Sequence, residues 1–261
     1  MRATPLAFLR APLTLAWRDG HLALDADPAA FDALPVTVSA PTLAALPEAI
    51  AGVLAPHRHR RVCLRVGDEH ARLLHLARPR GVRSARELEA ALRQRATQLH
   101  GEDGADWTWR WTAAPGAHAD TACALRADLL AALQGACRAA RVHVASLQAD
   151  WVAAAARAPR RGRAWVLNAG ARTLVLGLLD GGRCEGVRRL APPAPEDDLA
   201  DVMARAQPLF GARAEDALAP VWLFGAPLSV PPGDAAARVR HVEVDDGRAP
   251  DLHARWAGGA R

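Results

Sequence analysis

Three features of the sequence predict an α/β fold, with mixed sheets flanked by helices and the chain folded into two lobes. Short apolar runs separated by Asp-Gly or Gly-Gly read as hairpins, because glycine takes the positive φ that tight two-residue turns demand. Leucine and alanine at helical spacing fill the stretches between them. The order hairpin, helix, strand occupies residues 13–150 and recurs over 163–244, so residues 1–157 and 158–261 are assigned to a first and a second lobe.

The first hairpin is 13–17 and 21–25 around Asp19-Gly20. Residues 42–54 carry apolar side chains at helical spacing, with Thr42 as N-cap and Pro47 limiting where regular turns begin. His57-Arg58-His59-Arg60-Arg61 reads as a solvated basic loop before a strand. A second hairpin is expected from 61–66 and 71–76 around Gly67-Asp68-Glu69-His70. Ser84 and Glu87 have capping-box spacing, and Leu88, Ala91, Leu92, Ala96 and Leu99 then define a helix of about 15 residues.

Trp107-Thr108-Trp109-Arg110-Trp111-Thr112 alternates strictly, which puts three indoles on one face of a strand. Packing against the preceding helix is one reading of that face, and a base-stacking platform is the other. Leu125 through Ala140 reads as a helix, 142–144 as a short strand and 147–153 as the start of another helix.

The stretch from Arg163 to Ala191 is a β-meander: apolar 164–167, a small-residue break at 168–172, apolar 173–179, an Asp180-Gly181-Gly182 turn and a third run at 183–190. Its first two runs are almost wholly apolar, so this sheet should be covered on both faces. Glu196-Asp197-Asp198 opens a helix reaching Ala206, with acidic residues complementing the positive helix end. Residues 221–224 read as a buried strand ending at Gly225, 239–244 as a terminal strand, and the tail from Gly247 as loose.

At 261 residues and 51% apolar composition the chain can bury a sizeable core, which excludes global disorder. All 33 basic residues are arginine, and alanine is abundant. A GC-rich coding sequence produces the same bias, so the net charge of +5 is not by itself a nucleic-acid signature, and no nucleic-acid partner is expected. Cys63, Cys123, Cys137 and Cys184 are scattered in apolar contexts, as buried thiols of a reducing compartment would be. The N-terminus has no signal-peptide pattern, and no run of about 18 apolar residues occurs, so a cytoplasmic protein is expected. There is no Gly-x-Ser-x-Gly elbow, and a phosphate loop of the Gly-Lys type is excluded by the absence of lysine.

The succession of strand, Asn168-Ala169-Gly170 turn, strand, Asp-Gly turn and a strand ending in arginine resembles the second phosphate-binding hairpin of actin-like ATPases, in the branch of PilM, MshI and GspL. The resemblance extends through element order over about residues 13–244. It implies a two-lobed actin-like fold with a ribonuclease H-like motif. At the first phosphate loop, Ala16-Trp17-Arg18-Asp19-Gly20 retains the turn with the loop stripped away. At the second, uncharged Asn168 replaces the usual aspartate, and of the adenosine-contacting Gly-Gly only Gly225 remains.

What the resemblance implies is therefore a residual nucleotide site at Asn168, Gly170 and Gly225, with no catalytic residue and no metal ligand assigned. The implied function is a non-catalytic cytoplasmic adaptor, a pseudo-ATPase scaffold for an inner-membrane pilus or type II secretion platform. Its partner would be the cytoplasmic peptide of a bitopic inner-membrane assembly protein, held in a groove between subdomains, with homodimerisation left open. The alternatives are an actin-like protein that binds and hydrolyses ATP with Mg²⁺, and an Arg/Trp-rich nucleic-acid module using Trp107, Trp109 and Trp111.

Overall fold

Leu13–Arg18 (β1) and His21–Asp25 (β2) pair antiparallel through a two-residue turn in which Asp19 has φ 49° and Gly20 φ 74°. Both central residues at positive φ give the turn whose twist matches that of the flanking strands. The computed structural model describes residues 12–25, 36–40, 42–77, 81–82, 84–100, 106–112, 119–170, 172–192, 197–211, 214–225, 228 and 239–241. The sequence-expected tail from Gly247 and most of the last strand lie outside them.

Val36–Ser39 (β3) continues the sheet beside β2, and Leu46–Leu54 (α1) begins one turn later than the 42–54 pattern suggested. Thr42 Oγ1 instead accepts the Ala45 N–H at 3.3 Å, and Pro47 stands in the first helical turn, where no N–H is needed. Arg61–Val66 (β4) then pairs parallel with β1.

The expected second hairpin does not form. Ala71–Ala77 (β5) leaves the first sheet, and Asp68–His70 is a 3₁₀ turn carrying the chain from one sheet to another. Turn chemistry is local, whereas which strand a segment pairs with is decided by distant partners. Here the partner of β5 is Ala119–Arg126 (β7), which also pairs with Trp107–Thr112 (β6).

This three-stranded sheet, ordered β5-β7-β6, is covered by Ala85–His100 (α2), whose Ser84 cap accepts the Glu87 N–H at 3.2 Å. Trp109 is 2% exposed, packed with Ala96 of α2 and with Ala122 and Ala124 of β7. Trp109 is therefore a core residue and cannot meet a base without unpacking the subdomain. Half-buried Trp107 carries the Arg72 guanidinium 4.1 Å from its ring centroid.

Leu125, read as helical from sequence, is the penultimate residue of β7, and the helix that follows is Ala127–Ala139 (α3). Its buried Leu129, Leu133 and Ala136 pack with Ile50 and Leu54 of α1 against Leu13, Leu15, Val62 and Leu64 of the sheet. His143–Ala149 (β8) is longer than the strand expected at 142–144, because parallel pairing with β4 runs on through Leu147 and Gln148 to Ala149. Asp150–Arg157 (α4) starts only after that.

The second sheet is the meander Arg163–Ala169 (β9), Leu174–Asp180 (β10) and Arg183–Leu190 (β11), joined by Val221–Gly225 (β12) and Val239–His241 (β13). As the apolar runs required, both its faces are covered. Leu199–Ala206 (α5), started by a capping box between Asp198 and Asp201, packs Val202 and Met203 on Trp165, Leu167 and Leu176. On the other face Trp151 and Ala154 of α4 pack with Val166, Val175 and Phe224.

Strand order in the first sheet is β3-β2-β1-β4-β8, and in the second β11-β10-β9-β12-β13. In each, the first three strands of the unit are antiparallel and the last two add in parallel beside the first. The two sheets thus repeat one topology, and the β5–β7 subdomain is an insertion between the fourth and fifth strands of the first copy.

Candidate functional site at the seam between the sheets

In the first unit β1, β4 and β8 run in register to Trp17, Val66 and Ala149, and polar residues beyond their ends meet Asn168 near the end of β9. The turn after β4 supplies Asp68 and Glu69, the end of β8 leads into Asp150, and β9 carries Asn168.

Asp68 is 3% exposed. Its Oδ1 accepts the Trp151 backbone N–H at 3.0 Å, and its Oδ2 accepts Asn168 Nδ2 at 2.7 Å. Burial, with the Asp150 charge second, pushes the Asp68 carboxyl from 3.8 up to about 7, against the pull of its two donors. Asp150 is held by two arginines: Arg65 Nε and Nη2 lie 3.2 and 3.1 Å from its Oδ1, and Arg18 Nε lies 3.3 Å from its Oδ2. Two guanidiniums on one buried carboxylate neutralise it where water cannot.

Glu69 folds back over the first hairpin. Its Oε1 accepts the Asp19 backbone N–H at 2.7 Å and lies 3.4 Å from His70 Nε2. The position a Cβ would take on Gly67 overlaps the Glu69 carboxylate, so glycine there is what lets the side chain turn inward. His70 stacks on Trp17, with centroids 4.0 Å apart and planes within 5°. Burial lowers the His70 pKa; Glu69 and Asp19 oppose that, and Arg172 and Arg189 of the second unit reinforce it.

Of the residues named from sequence, Asn168 and Gly225 do come together. Parallel pairing sets Asn168 beside Phe224 and Ala169 beside Gly225. Gly225 has φ 82°, and a Cβ on it would overlap the Ala169 carbonyl, so its glycine is demanded by close backbone approach. Gly170 closes the β9–β10 turn, its N–H donating to the Thr173 carbonyl at 2.8 Å. Asn168 is buried with its amide turned onto Asp68.

Asp68, Asp150, Arg65 and Glu69 escaped the sequence reading. Their signal was present, since Val66-Gly67-Asp68 and Ala149-Asp150 each place an acid at the end of an apolar strand. It was hidden by taking 67–70 for a hairpin tip and Asp150 for mid-helix.

A metal-bound triphosphate suits this arrangement poorly. The Asp68 and Asp150 carboxylates face arginines, an amide and a backbone N–H, and the Glu69 carboxylate already occupies the Asp19 amide that a phosphate would approach. Among the described residues no group of three or more His, Cys, Asp and Glu side chains could hold a metal ion.

Solved structures share this architecture. The cytoplasmic domain of EpsL, an inner membrane component of the type II secretion system of Vibrio cholerae, superposes with TM-score 0.56 over 95% of each chain at 13% identity. A PilM–PilN type IV pilus biogenesis complex matches with TM-score 0.53 over 82% of this chain and 81% of that one, at 18% identity. A protein of unknown function with an actin-like ATPase fold from Bacteroides thetaiotaomicron matches with TM-score 0.54 over 96% of each chain at 7% identity. No family model and no curated protein matches the sequence. The chain therefore has the actin-like fold, in the two-unit form that the EpsL cytoplasmic domain and the PilM–PilN complex also contain.

Proposed function

We propose that this protein is a non-catalytic actin-like adaptor that scaffolds an inner-membrane pilus or type II secretion platform by binding a cytoplasmic peptide of a bitopic assembly protein. The observation that carries the reading is that the acids of the seam are bonded within the chain: Asp68 to Asn168, Asp150 to Arg65 and Arg18, and Glu69 to the Asp19 N–H. Phosphoryl transfer depends on cations and amides free to meet developing charge, and these groups are occupied by the chain itself. The likeness to the EpsL cytoplasmic domain and the PilM–PilN complex supplies the setting. No described helix is long and apolar enough to cross a membrane.

The test is fluorescence anisotropy of a labelled peptide copied from the cytoplasmic N-terminus of a bitopic inner-membrane assembly protein of the same organism. Saturable binding with Kd near about 1 μM, or about −8 kcal/mol, is expected. No binding together with Mg²⁺-dependent ATP turnover would reject the adaptor reading. The second reading, nucleotide binding, draws on the shared position of Asn168, Gly170 and Gly225 at one end of the second sheet.

A further inference from the structure

Two elements are tied to one carboxyl group across the seam. Trp151 of α4 donates its backbone N–H to Asp68 and its indole Nε1 to the Val166 carbonyl of β9 at 3.1 Å. Two residues further along β9, Asn168 donates to the other oxygen of Asp68. Asp68 therefore joins the turn after β4 in the first unit both to α4 and to the second sheet.

The residue opposite Asp68 is an amide, and that choice has a chemical consequence. Ionised Asp68 accepts from Asn168 Nδ2. Neutral Asp68 can donate its O–H to Asn168 Oδ1 after the amide turns over, while still accepting from Trp151. An aspartate at 168 would need a cation or a shared proton to sit at the same distance. Asn168 thus offers a hydrogen-bond partner to either charge state of Asp68, but only the neutral one closes the seam without burying a charge.

We infer that Asp68 and Asn168 form a cation-independent clasp between the two units, and that loss of the Asp68 proton slackens it. Among the described residues no cation is paired with the ionised group. From its own unit it faces Glu69, from the β8–α4 junction Asp150, and from β7 Cys123, whose thiol burial and the Asp68 charge push up to about 12. Arg65 and Arg18 are paired with Asp150, and Arg172 and Arg189 act on the His70 end of the turn.

The direction of the effect follows. In the closed seam Asp68 titrates at about 7, and with water admitted it returns towards 3.8, so closure takes up a proton. The closed form is fully favoured below about pH 4 and loses that advantage as the pH rises through about 7.

The experiment is an amide NMR titration of the ¹⁵N-labelled full chain between about pH 5 and about pH 9, with the radius of gyration measured by small-angle scattering on the same samples. In the native chain and in His70→Gln, the Trp151 backbone and Asn168 side-chain amides should shift together with a midpoint near about 7. The radius of gyration should rise over the same interval. Asp68→Asn should show neither change. A midpoint in the ordinary carboxylate range, disappearance of the titration in His70→Gln, or a radius of gyration flat across the transition would each overturn the clasp. If Asp68→Asn does not fold, the native and His70→Gln titrations decide alone.

Discussion

The indole of Trp151 lies directly on the α-carbon of Gly177, so that a methyl group there would overlap Cζ2 of the ring. Trp151 belongs to α4 and Gly177 to β10, and through this contact the helix after the first sheet is seated on the second. Gly177→Ala should cost about 1–3 kcal/mol, the usual penalty of overpacking a filled core. Urea denaturation followed by circular dichroism measures it. A cost within about 0.5 kcal/mol of zero, the usual size for an exposed surface site, would mean that the contact does not fix the seam.

Arg65 and Asp150 form a buried pair, 8% and 4% exposed. Removing Arg65 leaves Asp150 only the more exposed Arg18, so Arg65→Met should destabilise the chain by up to about 3–5 kcal/mol, whereas replacing both Arg65 and Asp150 with apolar residues should cost less. A double-mutant cycle in urea measures the difference. Additive single-mutant costs would show that the two charges are not coupled.

The buried Trp109 makes the inserted subdomain a separate test. Trp109→Ala should cost about 3–5 kcal/mol, because the ring fills the space between α2 and β7. Retention of the chain by a short single-stranded oligonucleotide should be the same before and after the change. Loss of a salt-sensitive interaction in a variant that remains folded would instead point to base stacking.

How far such features could be read beforehand depended on the range of the interaction behind them. Asp19-Gly20 and Gly181-Gly182 announce their hairpins because the required φ values are a local property of the residues. Helix α2 likewise follows from its own leucine spacing and its Ser84 cap. The turn at Gly67-Asp68-Glu69-His70 has the same local chemistry, yet β5 pairs with β7, some fifty residues on, and nothing near the turn records that. Leu147 and Gln148 are strand for the same reason, being held by Leu64 and Arg65 of β4. At the site, Asn168 was legible as a departure from Asp-x-Gly, but the partner of its amide lies 100 residues away.

Two titrating groups set opposite ends of the pH profile. Asp68 has a raised pKa in the folded chain, so its contribution to stability is complete below about 3.8 and is lost as pH rises through about 7. His70 has a lowered pKa, so its contribution is complete above about 6.5 and is lost as pH falls below that value. Relative to Asp68→Asn, the native chain should lose stability on going from about pH 5 to about pH 8, with a slope of at most about 1.4 kcal/mol per pH unit. Relative to His70→Gln, it should lose stability on acidification. Parallel denaturation curves for the three proteins at every pH would contradict both assignments.

The most direct test of an internally sealed seam is a calorimetric titration of the native chain and of Asn168→Asp with ATP and Mg²⁺. A seam closed by its own side chains should give no saturable heat up to about 1 mM nucleotide in either protein. The variant should be less stable without added Mg²⁺, because two carboxylates then meet where an amide and a carboxylate did. Micromolar binding of ATP and Mg²⁺ by the native chain would show that the cleft is a working nucleotide site, and its appearance only in Asn168→Asp would show that the missing charge alone had silenced it.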